Sequence, residues 1–380
     1  MTQGATYMIY LDNAATGGEK PESVLTAVNA AIHLCANAGR GAHRLAVTCL
    51  SNVQACRKAL ARYFDCPDHQ RVLFTKNCTE ALNVALFGLL EQGDHVVTTC
   101  LEHNSVLRPL QELKRRGVIE YDVCPLHGGE QKPNRIASLV KANTKAVVVT
   151  SASNVTGYAP DLLAIKKLLP KNVLFICDGA QGGGHLPLKM QGAGLDVIAL
   201  AGHKGLLGIQ GSGALLLSER ATPKPLLFGG TGSLSYSLDM PTFLPDCLEA
   251  GTLNYPAIVS MLEGVNYLTV HGEEIAAKLK RLTAALQRGL KRIPSYRCYS
   301  SPNASGIVAI SHKLHASEYL AMLLSKKYDV ATRGGLHCAP LAHQALRTAD
   351  DGLLRVSFGH QNTESDVDAL LSALEAIAQE

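Results

Sequence analysis

A lysine amine does covalent chemistry only where its surroundings keep it neutral, and Lys204 lies in a turn that favours this. The turn reads Ala201-Gly202-His203-Lys204-Gly205-Leu206-Leu207-Gly208 and follows the apolar run Val197-Ile198-Ala199-Leu200. Ligands bind beyond the carboxyl ends of strands in parallel sheets, and a turn there holds its lysine near that edge. Desolvation or a nearby cation lowers a lysine pKa, and the free amine then forms a Schiff base with an aldehyde. Loop lysines are common, so the neighbours carry the argument. Val173-Leu174-Phe175-Ile176-Cys177 runs into Asp178-Gly179-Ala180-Gln181-Gly182. A carboxylate at the end of a buried strand costs energy unless it is paired. A pyridinium nitrogen is a fitting partner, because the carboxylate keeps the ring protonated and the ring then draws electrons. The plainer role for Asp178 is a helix cap. Gln181 reaches a ring hydroxyl from the same loop.

Phosphate calls for backbone donors at a helix start. Phe74-Thr75-Lys76-Asn77-Cys78-Thr79-Glu80 reads as strand, turn and helix, leaving free amides near Asn77, Cys78 and Thr79. The Thr79 hydroxyl adds a donor, caps the helix, or does both. Glu102-His103-Asn104-Ser105 follows a strand ending at Thr99. An imidazole there stacks over a ring and exchanges protons with a substrate, or is simply a hydrogen-bonded structural histidine.

These residues need a scaffold. Short, mostly β-branched runs at 72–74, 95–97, 146–149, 173–176 and 197–200 read as continuously buried strands. Segments 79–90, 105–115 and 162–169 read as helices between them. Such alternation predicts an α/β fold whose sheet is mainly parallel and covered on both faces, with 211–217 as an antiparallel addition. Two earlier helices are expected at 21–34 and 48–64. Residues 222–256 lack periodicity and read as a functional or interfacial loop. Beyond them the pattern predicts helices at 257–270 and 273–290. A strand at 306–310, a helix at 316–326, strands at 330–332 and 353–358 and a helix at 364–377 follow. The expected division is a large cofactor-binding unit, 16–256, and a smaller α+β unit built from 1–15 and 257–380.

Composition narrows the class. Hydrophobic residues make up 47% and charged residues 18%, which suits a globular chain and not a disordered one. A net charge of +4 without a basic cluster argues against nucleic acid. The 11 cysteines are scattered, Cys35 and Cys338 among them, with no CxxC pair and no metal-ligand spacing. An odd count, no signal-like segment and no apolar run of membrane length predict a reducing, cytoplasmic setting.

Across nearly its whole length the chain resembles the class V aminotransferase superfamily, and within it the cysteine desulfurases and selenocysteine lyases. The resemblance rests on Tyr10-Leu11-Asp12-Asn13-Ala14-Ala15-Thr16, Asn37-Ala38-Gly39-Arg40-Gly41-Ala42-His43-Arg44, the segments around Thr79 and His103, and Ser153-Asn154-Val155-Thr156-Gly157. It continues through Asp178 to Gln181, His203-Lys204, Glu249-Ala250-Gly251-Thr252-Leu253-Asn254 and Arg333-Gly334-Gly335-Leu336-His337-Cys338-Ala339-Pro340. It implies pyridoxal 5'-phosphate in a fold type I enzyme with a seven-stranded sheet. Lys204 would carry the cofactor beside His203, Asp178 would pair with the ring nitrogen, His103 would stack, and Gln181 and Asn154 would hold the ring hydroxyl. Thr79, with Asn77 and Cys78, would bind phosphate, and Thr252 would reach the cofactor phosphate of a partner subunit in a homodimer. Substrate would meet Asn13, Ala14, Asn154, Arg333 and above all Arg355, a guanidinium suited to a carboxylate.

The same resemblance makes Cys338 the residue that attacks the sulfur of L-cysteine and carries it as a persulfide, with alanine released after Lys204 or His103 has moved the α proton. A histidine beside it and an arginine five residues away would favour the thiolate. The short spacing from Arg333 is similar to the short-loop class, which works with a sulfur-acceptor protein. Some positions depart from the pattern. Ala201 stands where many relatives carry a phosphate-binding serine, so backbone, water or another side chain must supply that donor. Ile209 and Leu253 replace frequent prolines, and Leu336 replaces a histidine. A selenocysteine lyase, or another class V lyase or aminotransferase that leaves Cys338 idle, is the alternative. A non-catalytic adaptor conflicts with the joint presence of Lys204, Asp178, His103 and Arg355.

Overall fold

The buried apolar runs assemble into one twelve-strand set of three sheets in the computed structural model, which describes residues 8–34, 36–39, 41–127 and 129–379. Cys35, Arg40 and residues 1–7 lie outside the described residues. The strands are β1 (Ile9–Tyr10), β2 (Val72–Thr75), β3 (Asp94–Thr99), β4 (Ile119–Cys124), β5 (Thr144–Thr150) and β6 (Leu174–Asp178). They continue with β7 (Val197–Ala201), β8 (Gly213–Leu217), β9 (Tyr296–Cys298), β10 (Ile307–His312), β11 (Val330–Ala331) and β12 (Leu354–Ser357). The helices are α1 (Glu22–His33), α2 (Arg44–Phe64), α3 (Cys78–Leu89), α4 (Asn104–Arg115), α5 (Pro133–Ser138) and α6 (Leu162–Leu168). After them come α7 (Met190–Ala193), α8 (Tyr255–Leu290), α9 (Ser317–Tyr328), α10 (Pro340–Leu346) and α11 (Glu364–Ile377).

The seven-stranded sheet has the order β2-β8-β7-β6-β5-β3-β4. Strands β3 to β7 pair in parallel, while β8 runs antiparallel to both β2 and β7. Alternate residues of these strands feed two separate apolar layers. Val147, Phe175 and Ile198 face one layer, and Val148, Ile176 and Val197 the other. This is the mainly parallel, doubly covered sheet that the runs predict. The C-terminal elements add an antiparallel sheet, β12-β10-β9, and a parallel pair, β1-β11. Among the described residues no helix is long and apolar enough to cross a membrane.

One expected break is absent. Residues 257–290 lie in a single helix of 36 residues, α8 (Tyr255–Leu290), rather than in two helices. Gly272, which costs a helix about 1 kcal/mol relative to alanine, falls between the two expected segments. The buried stripe of Val265, Leu268, Ile275, Leu279, Leu282 and Leu286 runs through Gly272 without changing phase, so packing on α1, α2 and α11 carries the helix across.

The unpatterned segment before α8 is anchored by a buried ion pair. Arg57 of α2 donates to Glu249 Oε1 and Oε2 at 2.9 and 2.5 Å, and Glu249 Oε1 also accepts the Phe74 amide at 2.6 Å. The pair fixes the start of the stretch that carries Thr252. Removing one partner leaves the other charge buried and alone. Arg57→Ala is therefore expected to lower unfolding free energy by about 3–5 kcal/mol, measured by urea denaturation. A loss within the range of a surface substitution would contradict the anchoring role.

Candidate active site

The parallel strand ends bring the predicted residues to one edge. Thr150, Asp178 and Ala199 are neighbours across β5, β6 and β7, and the Lys204 turn begins where β7 stops. The turn is seated backbone against backbone, because a Cβ at Gly205 would strike the Gly183 carbonyl. A narrow cavity of about 80 Å³ is lined by Asn77, Cys78, Thr79, His103, Ser105, Thr150, Asn154, Asp178, Ala180, Gln181, Ala201, His203 and Lys204. Nine of the residues singled out by sequence thus share one space. Asn13, Ala14, Thr252, Arg333, Arg355 and Cys338 lie outside its lining. A wider cavity, about 780 Å³, lies between α2, α8 and residues 184–189 and holds none of them.

Burial and charge set the chemistry. Asp178 is 2% exposed, and its Oδ1 accepts the Ala180 amide at 2.9 Å, with Cys78 Sγ 3.5 Å away. It lines the cavity and caps no helix among the described residues. Burial pulls the Lys204 pKa below the ordinary lysine value, with the Asp178 charge opposing that shift. His103 is held neutral chiefly by burial. Its Nδ1 accepts the Ser105 amide at 3.0 Å, which leaves the ring proton on Nε2. His203 is pushed down to about 4 by burial and by Lys204, and its Nδ1 lies 3.0 Å from Thr16 Oγ1. Gln181 Nε2 donates to the Ala14 carbonyl at 3.0 Å. Asn154 Nδ2 donates to the His337 carbonyl at 2.7 Å, while its Oδ1 is buried without a partner. A buried acceptor left open beside a low-pKa amine and a carboxylate suits a polar aromatic ligand with an aldehyde.

At the other end of the cavity α3 offers its N-terminus. Asn77 is the cap, its Oδ1 accepting the Glu80 amide at 2.9 Å. Thr79 does not cap the helix, so its hydroxyl is available to the cavity. The Cys78 and Thr79 amides, at the first two helical positions, have no intrahelical carbonyl to reach. An anion fits such a cup.

The proposed carboxylate side is more occupied. Arg355, 1% exposed, donates to Asp12 Oδ1 at 2.9 Å and to the Asn154 carbonyl at 3.0 Å, with Nε buried and unpartnered. Arg333 is exposed and joins Arg355 through their backbones at 2.8 and 3.2 Å. Asn13 donates to the Ser357 carbonyl at 2.9 Å and accepts the Gly18 amide at 2.9 Å, and the Ala14 amide donates to Ser357 Oγ at 2.9 Å. These two shape the loop that receives Gln181.

Cys338 is exposed and held by its backbone, its carbonyl accepting the Asn104 amide at 2.7 Å. It lines a cavity of about 390 Å³ together with Thr79, His103 and Ser105, which also wall the Lys204 cavity. Together the two spaces reach the size of small-molecule sites, about 300–1,000 Å³. His337 and Cys338 both have left-handed backbones, φ 51° and 55°. Such strain in non-glycine residues, about 1–3 kcal/mol each, concentrates at functional sites. His337 does not act as a cation beside the thiol. Burial and Arg355 push it down to about 3, and its Nε2 faces the Arg333 carbonyl at 3.2 Å.

Sequence reasoning gave no role to Ser105, which lines the cavity, or to Glu102, which bonds the lining residue Thr150. Glu102 is fully buried, its Oε1 accepting Thr99 Oγ1 at 2.6 Å and the Thr150 amide at 3.0 Å. Burial raises its carboxyl to about 8, so it is largely protonated at neutral pH. Between the unfolded carboxylate value and about 8 the folded chain binds the extra proton, so stability from Glu102 falls as pH rises, by about 1.4 kcal/mol per unit. Glu102→Gln copies the protonated acid and lacks this slope. Urea unfolding at pH 5 and pH 8 should show the variant gaining on the parent at the higher pH, whereas parallel profiles would refute the assignment.

The model of the aminotransferase class-V family matches residues 9–370, and the chain belongs to that family. Its fold is the fold type I of pyridoxal-phosphate enzymes. A probable cysteine desulfurase from Methanothermobacter thermautotrophicus is 31% identical, over 97% of this chain and 94% of the relative. The apo cysteine desulfurase from Thermococcus onnurineus NA1 superposes with a TM-score of 0.91 at 27% identity, covering 98% of this chain and 95% of that one. The Escherichia coli cysteine desulfurase CsdA does so with a TM-score of 0.89 at 27% identity, covering 98% and 95%.

Proposed function

We propose that this chain is a pyridoxal-phosphate-dependent cysteine desulfurase that moves the sulfur of L-cysteine to Cys338 and releases L-alanine. One observation carries the reading: Thr79, His103 and Ser105 wall both the Lys204 cavity and the cavity of Cys338, so an amine site and an exposed thiol share a boundary. When bound, pyridoxal phosphate supplies an electron sink for the substrate's α carbon. Lys204 would hold it covalently, Asp178 would keep its ring protonated, and Gln181 and the open Asn154 Oδ1 would meet its ring substituents. Asn77, Cys78 and Thr79 would form the anion cup.

The chain's own groups then divide the work. Lys204, with its lowered pKa, accepts and returns a proton at Nζ. His103, neutral with its proton on Nε2, offers a second proton route. The Arg355 guanidinium anchors the substrate carboxylate, with Arg333 at the rim. The carbon–sulfur bond of the substrate breaks, a sulfur–sulfur bond to Cys338 forms, and the persulfide then passes to an acceptor. That transfer needs a reducing setting, and all ten described cysteines are free thiols.

A homodimer with shared sites belongs to the same reading. Thr252 is exposed and lies outside the cavity of its own chain. The segment around it exposes Phe228 at 75%, Tyr236 at 89% and Leu238 at 106%, an apolar display that a partner copy would cover. The unit of residues 1–15 and 257–380 would carry Cys338, and that of 16–256 the cofactor.

The test is turnover of L-cysteine and L-selenocysteine by holoenzyme, read as alanine. Faster turnover of cysteine, with sulfide released under reductant, is the expected result. Alanine formed only from selenocysteine would replace the reading with a selenocysteine lyase.

A further inference from the structure

Two hydroxyls meet in the cavity without a carbonyl acceptor between them. Thr79 Oγ1 and Ser105 Oγ are 2.8 Å apart, and Ser105 Oγ is 2.9 Å from His103 Nδ1. Thr79 lies in the first turn of α3 and Ser105 in the first turn of α4, so two helix N-termini converge on this pair. Hydroxyls inside helices commonly bond back to a carbonyl of the preceding turn, as Thr48 does to Arg44 and Thr269 to Val265. Thr79 and Ser105, each at the second helical position, have no preceding turn to bond back to, and they face each other.

Position 201 and its neighbours offer no comparable hydroxyl. Ala201 lines the cavity with a methyl group. Ser212, beside Gly202, spends its hydroxyl on the Ile209 carbonyl at 2.5 Å, and Thr75 spends its own on the Asn77 carbonyl at 3.0 Å. Ser105 is 9% exposed, so its hydroxyl is largely withdrawn from bulk water.

We propose that Ser105 is a cofactor-phosphate ligand, its hydroxyl joining Thr79 and the α3 amides to supply the donor that position 201 lacks. A hydroxyl rotates its one proton to suit the acceptor at hand. His103 Nδ1 keeps the Ser105 amide when the hydroxyl turns away, so phosphate binding leaves the imidazole held as before. The inference rests on the reading that pyridoxal phosphate occupies the Lys204 cavity.

The experiment titrates apoprotein with pyridoxal 5'-phosphate and, separately, with pyridoxal, which has the same ring and aldehyde but no phosphate. Uptake is followed by absorbance. Loss of a hydrogen bond to a charged group weakens binding about ten- to a hundredfold. Ser105→Ala is expected to raise the dissociation constant for pyridoxal phosphate by that factor and to leave pyridoxal unchanged. Ser105→Cys, of similar shape with a weak donor, gives the same loss and guards against a folding defect in the alanine variant. Adding Ala201→Ser to Ser105→Ala restores part of the phosphate-dependent affinity. Unchanged affinity for pyridoxal phosphate, or equal weakening toward both ligands, overturns the assignment. A parent protein that takes up neither ligand overturns the cofactor reading itself.

Discussion

Lys204→Ala should yield a folded protein that keeps no yellow colour through gel filtration and that borohydride cannot fix to its cofactor. The turn is held by its backbone and by the glycine contact at residue 205, so loss of the side chain leaves the seat intact. What disappears is the amine whose pKa burial has lowered. Alanine release from cysteine should fall by at least about a thousandfold, the scale of losing a positioned acid–base group together with the covalent anchor. Lys204→Arg separates charge from nucleophilicity. It preserves a cation opposite Asp178 but cannot deprotonate, so it should fail as completely as alanine. Activity in the arginine variant would mean that charge alone is needed there.

Cys338→Ser is the second large effect, with a different signature. Cys338 is exposed and is not itself part of the Lys204 cavity lining, so cofactor uptake and absorbance should match the parent. Sulfur transfer should fall by about a hundredfold or more, because a serine hydroxyl stays protonated and is a poor acceptor of sulfur. Cys338→Gly probes the strained backbone. Glycine adopts a left-handed conformation without penalty, so this variant should be at least as stable as the parent while losing transfer. A Cys338→Ser protein with full rates would leave the thiol idle and favour another class V lyase.

Much of this was legible because chemistry and folding use the same residues. The strand runs at 146–149, 173–176 and 197–200 are long enough and apolar enough to be buried on both faces, so their ends mark the site edge. Asp178 and Lys204 are polar groups placed just past such runs. The edge strand β4 carries a signal of another kind: Ile119-Glu120-Tyr121-Asp122-Val123-Cys124 alternates as a half-buried strand does, whereas the central strands are continuously apolar. The continuity of α8 was hidden by Gly272, whose local cost outweighs its place in the buried stripe when only neighbours in sequence are considered. His337 was taken as a cation by adjacency, yet its burial depends on packing with β12 and α10 that adjacency does not convey. Ser105 stands in sequence only as a neighbour of His103, and its place beside Thr79 depends on α3 and α4 bringing two hydroxyls together.

The central claim is that the sulfur of cysteine comes to rest on Cys338. Mixing holoenzyme with one equivalent of L-cysteine, without acceptor or reductant, and weighing the intact protein and its peptides tests this directly. The account predicts a single added sulfur atom on the peptide that contains Cys338, removed by reductant and absent from Cys338→Ser. Alanine formed in full while that peptide keeps its original mass would contradict it.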